Sequence, residues 1–525
     1  MGATTGQRVI RATGIIGGAS LVVTALGFLK NLLAAYYFGT SSAMDIYLFA
    51  LVIPDMAQFM SITGLFNFIP LFAEARARQG EKEAWNVASR LVTYWLLLLC
   101  GVLVIGTIAA GGLSWVVAPG LDADARAVYV VQTRLLMLMA LGMGAARILA
   151  AVHNARKHFL VPALGEIVFQ ATSIVFLVIF HDYGTTALAG GMIFGGFCQL
   201  LVNAIGLHVK GAWLPLVLDP RHPAVIRLLK LTLPVYVSNA GAKINQVVNA
   251  AFASMLTAGA LSALQYAYMG VDIIATTVGL SLSRALFPFL SEHFAEGRGE
   301  DVARSLDRSL VATTLLTLPA SLGLGLLAHP VIVLLFQRGS FGPESTALTV
   351  AALRIYAPLL VPLGLGQILL TVYFAQANTT TPMKLGLLRV GIAALLCWLL
   401  VAPLGHRGIA LATTISEFVK LSLMATFLRG PDQREGLRLA LRSGARLGLA
   451  GALMAAVVWP LSQLDVLANM TLEPASIATL AGTIVGGGVV YFVGVRLFAP
   501  AEFAYFWAYA RRLLPGGRPA EEVAG

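Results

Sequence analysis

Charge is what this sequence has least of. Asp, Glu, Lys and Arg make up 12% of its 525 residues, against 58% hydrophobic residues. A water-soluble chain of that length needs far more polar surface, so a soluble fold is excluded. Cysteine is scarce too: Cys100, Cys198 and Cys397 stand singly in apolar stretches. That excludes a disulfide framework and a thiolate metal site. There is no Walker A loop, no HExxH pair and no G-x-S-x-G elbow. ATP-driven, zinc-protease and serine-hydrolase chemistry thereby lose their residue sets. Asp122-Ala-Asp124 looks like the metal-binding pair of some glycosyltransferases, but no other acid is near, and it reads as a solvated turn. No metal or cofactor is expected; energy would come from a coupling ion, the membrane potential or the substrate's own gradient. The alternating ten-residue segments of an outer-membrane barrel are missing. No cleavable leader is expected, since Arg8 and Arg11 precede an interrupted helix without a clear cleavage site.

What is present is long apolar runs. Fourteen of them, from 9–38 to 475–497, reach or exceed the roughly 20 residues that cross a bilayer core. The expected fold is an all-α polytopic membrane protein. Lys and Arg concentrate after every second span: Arg76, Arg78 and Lys82, then Arg156 and Lys157, Arg221 with Arg227, Arg298 with Arg304, and Arg434, Arg438, Arg442 and Arg446. The intervening loops carry few charges, so both termini are expected in the cytoplasm. The net charge of +11 is read as this loop bias and not as a nucleic-acid footprint.

The chain also repeats. A shift of 218 positions superposes Pro70, Glu74 and Arg90 on Pro288, Glu292 and Arg308, and one of 220 superposes Arg134 and Pro162 on Arg354 and Pro382. Two six-span lobes follow, 1–208 and 224–430. An even number of spans in each makes the repeat parallel, about a pseudo-twofold axis along the membrane normal. The linker 209–223 is expected as an amphipathic surface helix on the cytoplasmic leaflet. Two extra spans occupy 431–497, and 498–525 form a cytoplasmic tail. The basic segments near 209–223 and 429–446 suit contact with anionic membrane lipid as well as simple topology setting.

Ionisable groups inside apolar spans are costly unless they face water or a partner. Span 1 carries Thr24, Lys30 and Asn31, and span 2 carries Asp45 and Asp55. On span 7, Asn239, Lys243 and Gln246 fall at i, i+4 and i+7, on one helix face. Span 8 aligns Gln265, Tyr268, Asp272 and Thr276, and span 5 aligns Glu166, Gln170 and Ser173. The lysines suit an anionic headgroup such as a diphosphate. Thr24, Asn31, Asn239 and Gln246 would join Lys30 and Lys243 in binding substrate. Asp45, Asp55, Asp272 and Glu166 would balance charge or couple an ion. The plainer alternative is structural ion pairing, such as Lys243 with Asp272. Arg147 and Arg284 read as snorkelling to an interface.

Several strings carry a resemblance. They are Ala25-Leu-Gly-Phe-Leu-Lys-Asn31 and the turn from Phe38 to Asp45, Phe68-Ile-Pro-Leu-Phe-Ala-Glu74 and Ala285-Leu-Phe-Pro-Phe-Leu-Ser-Glu292, then Leu335-Phe-Gln-Arg-Gly-Ser-Phe341 and Phe374-Ala-Gln-Ala-Asn-Thr-Thr-Thr-Pro382. Together they resemble the MurJ/MviN lipid II flippase family of the multidrug/oligosaccharidyl-lipid/polysaccharide exporter superfamily. The resemblance implies fourteen helices, two lobes around a cationic cavity, and a lipid-tail groove formed by spans 13 and 14. It also implies movement of a polyprenyl-diphosphate-linked saccharide between leaflets of the bacterial inner membrane, in the service of peptidoglycan or related glycan export. Lys30 takes the place of a basic cavity residue and Asp45 that of an acid opening helix 2. Thr24, Gln58 and Tyr268-Met269 stand where the family has arginines, and Asn31 where it has aspartate; Lys243 would restore some of that charge.

The expected function is therefore a flippase for lipid II or a related lipid-linked glycan, working by alternating access, and not an enzyme. Its partners would be the lipid-linked saccharide, membrane lipids and proteins of cell-envelope synthesis. The rivals are a cation-coupled multidrug exporter of the same superfamily and a non-transporting scaffold for envelope synthesis.

Overall fold

The computed structural model describes residues 5–209, 214–428 and 430–513. These residues are helical nearly throughout, as a chain must be when lipid offers its backbone no hydrogen bonds. Twelve helices among the described residues are long and apolar enough to cross a membrane. Two more, Ser42–Gln79 and Pro223–Ala253, run to 38 and 31 residues. With them the expected fourteen is consistent.

Compact packing divides the chain into two units, Met1–Ser262 with Arg338–Gly342, and Ala263–Gln337 with Pro343–Gly525. Unit 1 holds α1 (Thr5–Phe38), α2 (Ser42–Gln79), α3 (Glu81–Val117), α4 (Ala123–Ala155), α5 (Leu160–Phe180), α6 (Thr185–Val209) and α7 (Pro223–Ala253). α4 is its centre: it packs on α2, α3 and α6, and 72% of its apolar window is buried. Small residues allow the close approach. A Cβ added at Gly142 of α4 would meet the Gly196 carbonyl carbon of α6 at 2.9 Å. α5 and α6 close in the same way, Gly195 lying against the Phe169 carbonyl. α7 packs on α2 and α3 within this unit, although the sequence repeat counts it with the second half.

Unit 2 contains α8 (Ala260–Ala295), α9 (Gly299–Leu326), α10 (Ala328–Phe336), α11 (Pro343–Tyr356), α12 (Leu360–Ala375), α13 (Thr380–Leu404) and α14 (His406–Thr426). α15 (Pro431–Ser462), α16 (Asp465–Ala468), α17 (Pro474–Phe498) and α18 (Pro500–Leu513) complete it. One core joins Leu290 of α8, Leu306 of α9, Ile368 of α12 and Met424 of α14. A second joins Leu315 of α9 to Met454 of α15 and Tyr491 of α17, so the two extra spans pack on α9. The tail opens with a helix, α18, whose Glu502 pairs with Arg446 at 3.6 Å.

The repeat is visible in the turns. α4 and α12 both end in a left-handed residue that is not glycine, Lys157 (φ 62°) and Ala377 (φ 55°). Each turn closes with the same two bonds: Lys157 N to Asn154 O and His158 N to His153 O, then Ala377 N to Phe374 O and Asn378 N to Tyr373 O. Pro70 and Pro288 both lie inside their helices.

The linker differs from expectation. Residues 214–222 form no helix. Val217 N donates to Thr93 Oγ1 at 3.0 Å and Arg90 pairs with Asp219 at 3.2 Å, so α3 holds the segment as an irregular strap. The helix resumes at Pro223, a first-turn proline that has no N–H to leave unsatisfied. Asp122 acts as the N-cap of α4, accepting from Ala125 N at 2.8 Å, and Asp124 lies in the first turn of the same helix.

Candidate functional site

Four polar groups of unit 1 are joined along α2, which packs on both α4 and α7. Asp55 and Gln58 lie one turn apart on α2, so they share a face. Gln58 Nε2 donates to Asp55 Oδ1 at 2.9 Å. The other carboxylate oxygen, Oδ2, takes the Lys243 ammonium from α7. On the far side Arg147 Nη1 of α4 donates to Gln58 Oε1 at 3.0 Å. The result is a continuous chain, Lys243–Asp55–Gln58–Arg147, drawn from three helices. The Lys243 and Asp55 side chains are 22% and 28% exposed, so the pair is enclosed but reachable.

Lys30 occupies a different place. Its ammonium lies 5.5 Å above the Phe169 ring of α5, a cation–π contact. Among the described residues it pairs with no carboxylate. Asn31 beside it is half-buried and has a partner. Thr24 is exposed and spends its hydroxyl on its own helix, donating to Ser20 O at 2.9 Å. The two lysines are therefore held by separate contacts, Lys30 against α5 and Lys243 against α2.

The remaining sequence candidates scatter. Gln246 is half-buried on α7, and the side chain of Asn239 lies outside the described residues. Glu166 is exposed on α5, where its charge acts on Arg147 beyond ion-pair distance. Asp45 is buried at the start of α2. Its two oxygens accept from Gly259 N and Ser262 N, each at 2.8 Å. It thus caps the first turn of α8 from another helix, where a carboxylate also meets the positive end of the helix dipole. Asp272 belongs to unit 2, half-buried, and forms no ion pair among the described residues. One turn on, Thr276 returns its hydroxyl to the Asp272 carbonyl at 2.7 Å.

Two groups escaped the sequence reading. Arg147 does not reach an interface: α4 is the enclosed helix of its unit, and the guanidinium turns inward to Gln58. The run Gly142-Met-Gly-Ala-Ala-Arg147, built for close packing, was the available signal. In unit 2, Glu417 of α14 is buried between Lys420, one turn on, and Arg389 of α13 at 3.4 Å. Arg389 in the middle of an apolar span was the signal there.

The family model for lipid II flippase MurJ matches residues 34–472. The lipid II flippase MurJ of Burkholderia cenocepacia is 28% identical over 517 residues, which cover 95% of this chain and 99% of that one. A probable lipid II flippase MurJ of Rhizobium tropici is 29% identical over 460 residues, covering 85% and 86%. Among solved structures, a lipid II flippase MurJ in an inward closed conformation matches with a TM-score of 0.76 at 20% identity, over 92% of this chain and 98% of that one. An inward-facing multidrug resistance MATE family transporter of the MOP superfamily matches with a TM-score of 0.66 at 17% identity, over 79% and 94%. Those two likenesses establish the fold, while the family model spans most of the sequence. A bundle of membrane-length helices with an inward-turned Lys–Asp–Gln–Arg chain is thus a transporter and not an enzyme, and it belongs to the lipid II flippase MurJ family.

Proposed function

We propose that this chain moves a polyprenyl-diphosphate-linked saccharide, lipid II or a related lipid-linked glycan, from the inner to the outer leaflet of the bacterial cytoplasmic membrane. The observation that carries this reading is an ammonium group, Lys30, that pairs with no carboxylate among the described residues and sits in a membrane-length helix of a chain from this family. An unneutralised cation at that depth needs an anion to complete it, and a diphosphate is one. Lys243 is the second cation, and Asp55 holds it in readiness: an arriving phosphate competes with a partly exposed carboxylate. The saccharide would pass through the protein while the polyprenyl tail stays in lipid, against the extra spans α15 and α17. Alternating access supplies the movement, with an ion gradient or the membrane potential as its drive. The basic segments favour a cytoplasmic position for both termini, and proteins of envelope synthesis would be the natural neighbours of such an activity. The multidrug reading has only the shared fold in its favour.

The test is delivery of a labelled lipid-linked saccharide to the outer leaflet of vesicles containing the full chain. Lys30→Ala and Lys243→Ala are each expected to slow delivery at least tenfold, the loss of one charge-assisted phosphate contact. Unimpaired delivery by both variants removes the site.

A further inference from the structure

Two cations converge on one acid in unit 1. Lys243 bonds Asp55 directly, and Arg147 reaches it through Gln58. One carboxylate cannot neutralise both. Among the described residues no carboxylate lies within ion-pair distance of Arg147; Glu166 acts on it only from farther away and is exposed. The guanidinium carries five donors in a rigid fork, and among the described residues its hydrogen bond goes to a neutral amide. Gln58 is buried, so its amide cannot turn to water instead and keeps Arg147 aimed at the α2 face that Lys243 approaches from α7. Leaving a cation enclosed with a neutral partner is costly, and the cost falls when an anion arrives. Planar paired donors match a phosphate better than a lone ammonium does.

From this geometry we infer that Arg147 is a substrate-binding residue, which grips the diphosphate together with Lys243 while Gln58 positions it. The inference rests on the reading above that the substrate is a diphosphate lipid. Arg147 and Lys243 would straddle the two phosphates, with Asp55 released toward Gln58.

Farnesyl diphosphate and farnesyl monophosphate serve as probes, titrated calorimetrically onto the full chain in nanodiscs. The unaltered protein is expected to prefer the diphosphate. Arg147→Gln should lose about tenfold in diphosphate affinity and most of the preference over monophosphate. Gln58 sits within hydrogen-bond reach of Arg147, so Gln58→Arg combined with Arg147→Gln returns the cation to the same place from α2. That double variant should recover the preference. If the unaltered protein binds no diphosphate, the functional reading fails. If it binds and Arg147→Gln binds equally well, or if the double variant is as weak as the single, the assignment of Arg147 fails and the reading survives. Inorganic pyrophosphate is a further arm, expected to bind more weakly than the lipid; equal affinity would mark a site for free diphosphate and overturn the lipid assignment.

Discussion

The ammonium of Lys243 on α7 is bound to the carboxylate of Asp55 on α2, and that ion pair ties the two helices inside unit 1. Neither side chain is fully exposed, so the pair is worth more than a surface one, yet each partner removed alone leaves the other without its counter-charge. Lys243→Ala and Asp55→Ala are each expected to lower the unfolding temperature of the detergent-solubilised protein. The double variant should cost less than the two together, with a coupling on the order of 1 kcal/mol. Strictly additive costs would show that the pair contributes nothing.

Asp45 gives a larger effect. It supplies both acceptors for Gly259 N and Ser262 N, and it is buried, so water is poorly placed to replace it. Asp45→Ala leaves two backbone donors unsatisfied and should destabilise by about 3 kcal/mol; Asp45→Asn keeps one acceptor and should cost about half that. Thermal unfolding of the two variants side by side would reveal the order, and an alanine variant as stable as the parent would show that the cap is dispensable.

Lys157 and Ala377 point the other way. Both hold a left-handed conformation that a side chain disfavours. Lys157→Gly and Ala377→Gly are each expected to stabilise by about 1 kcal/mol, less the extra freedom glycine brings to the unfolded chain. An equal shift at both turns would confirm that they are equivalent; a loss at either would mean that the side chain makes contacts worth more than the strain.

Much of the architecture was legible because it is local. Helix length follows from apolar runs, and the repeat from Pro70, Arg90 and their counterparts; the matched turns after Asn154 and Phe374 show the same register in backbone geometry. Pairing was not legible. Periodicity on α7 puts Lys243 on a polar face but cannot say which helix that face meets; the sequence suggests Asp272 as its partner, whereas α7 packs on α2 and the ammonium pairs with Asp55. Arg147 was misplaced for a related reason: snorkelling depends on whether a helix borders lipid, and the burial of α4 is a property of its neighbours. Lys420 and Glu417, one turn apart, were within reach of a sequence argument, whereas Arg389 joins them only through the packing of α13 on α14.

One end of unit 1 is stitched at the level of the main chain. Ser340 N bonds Tyr36 O at 2.8 Å, Gly120 N bonds Ser254 Oγ at 3.0 Å, and Asp45 holds the start of α8. Gly39, in a left-handed conformation, lies so close to the Ser340 carbonyl that a Cβ there would stand 2.4 Å from its oxygen, and Gly259 is as tight against Thr40. At Gly39 and Gly259 the backbones meet with no room for a Cβ, which leaves these turns no slack in which to part by degrees. A displacement of any one of these turns would have to break several of the bonds together, so the turns hold as one joint.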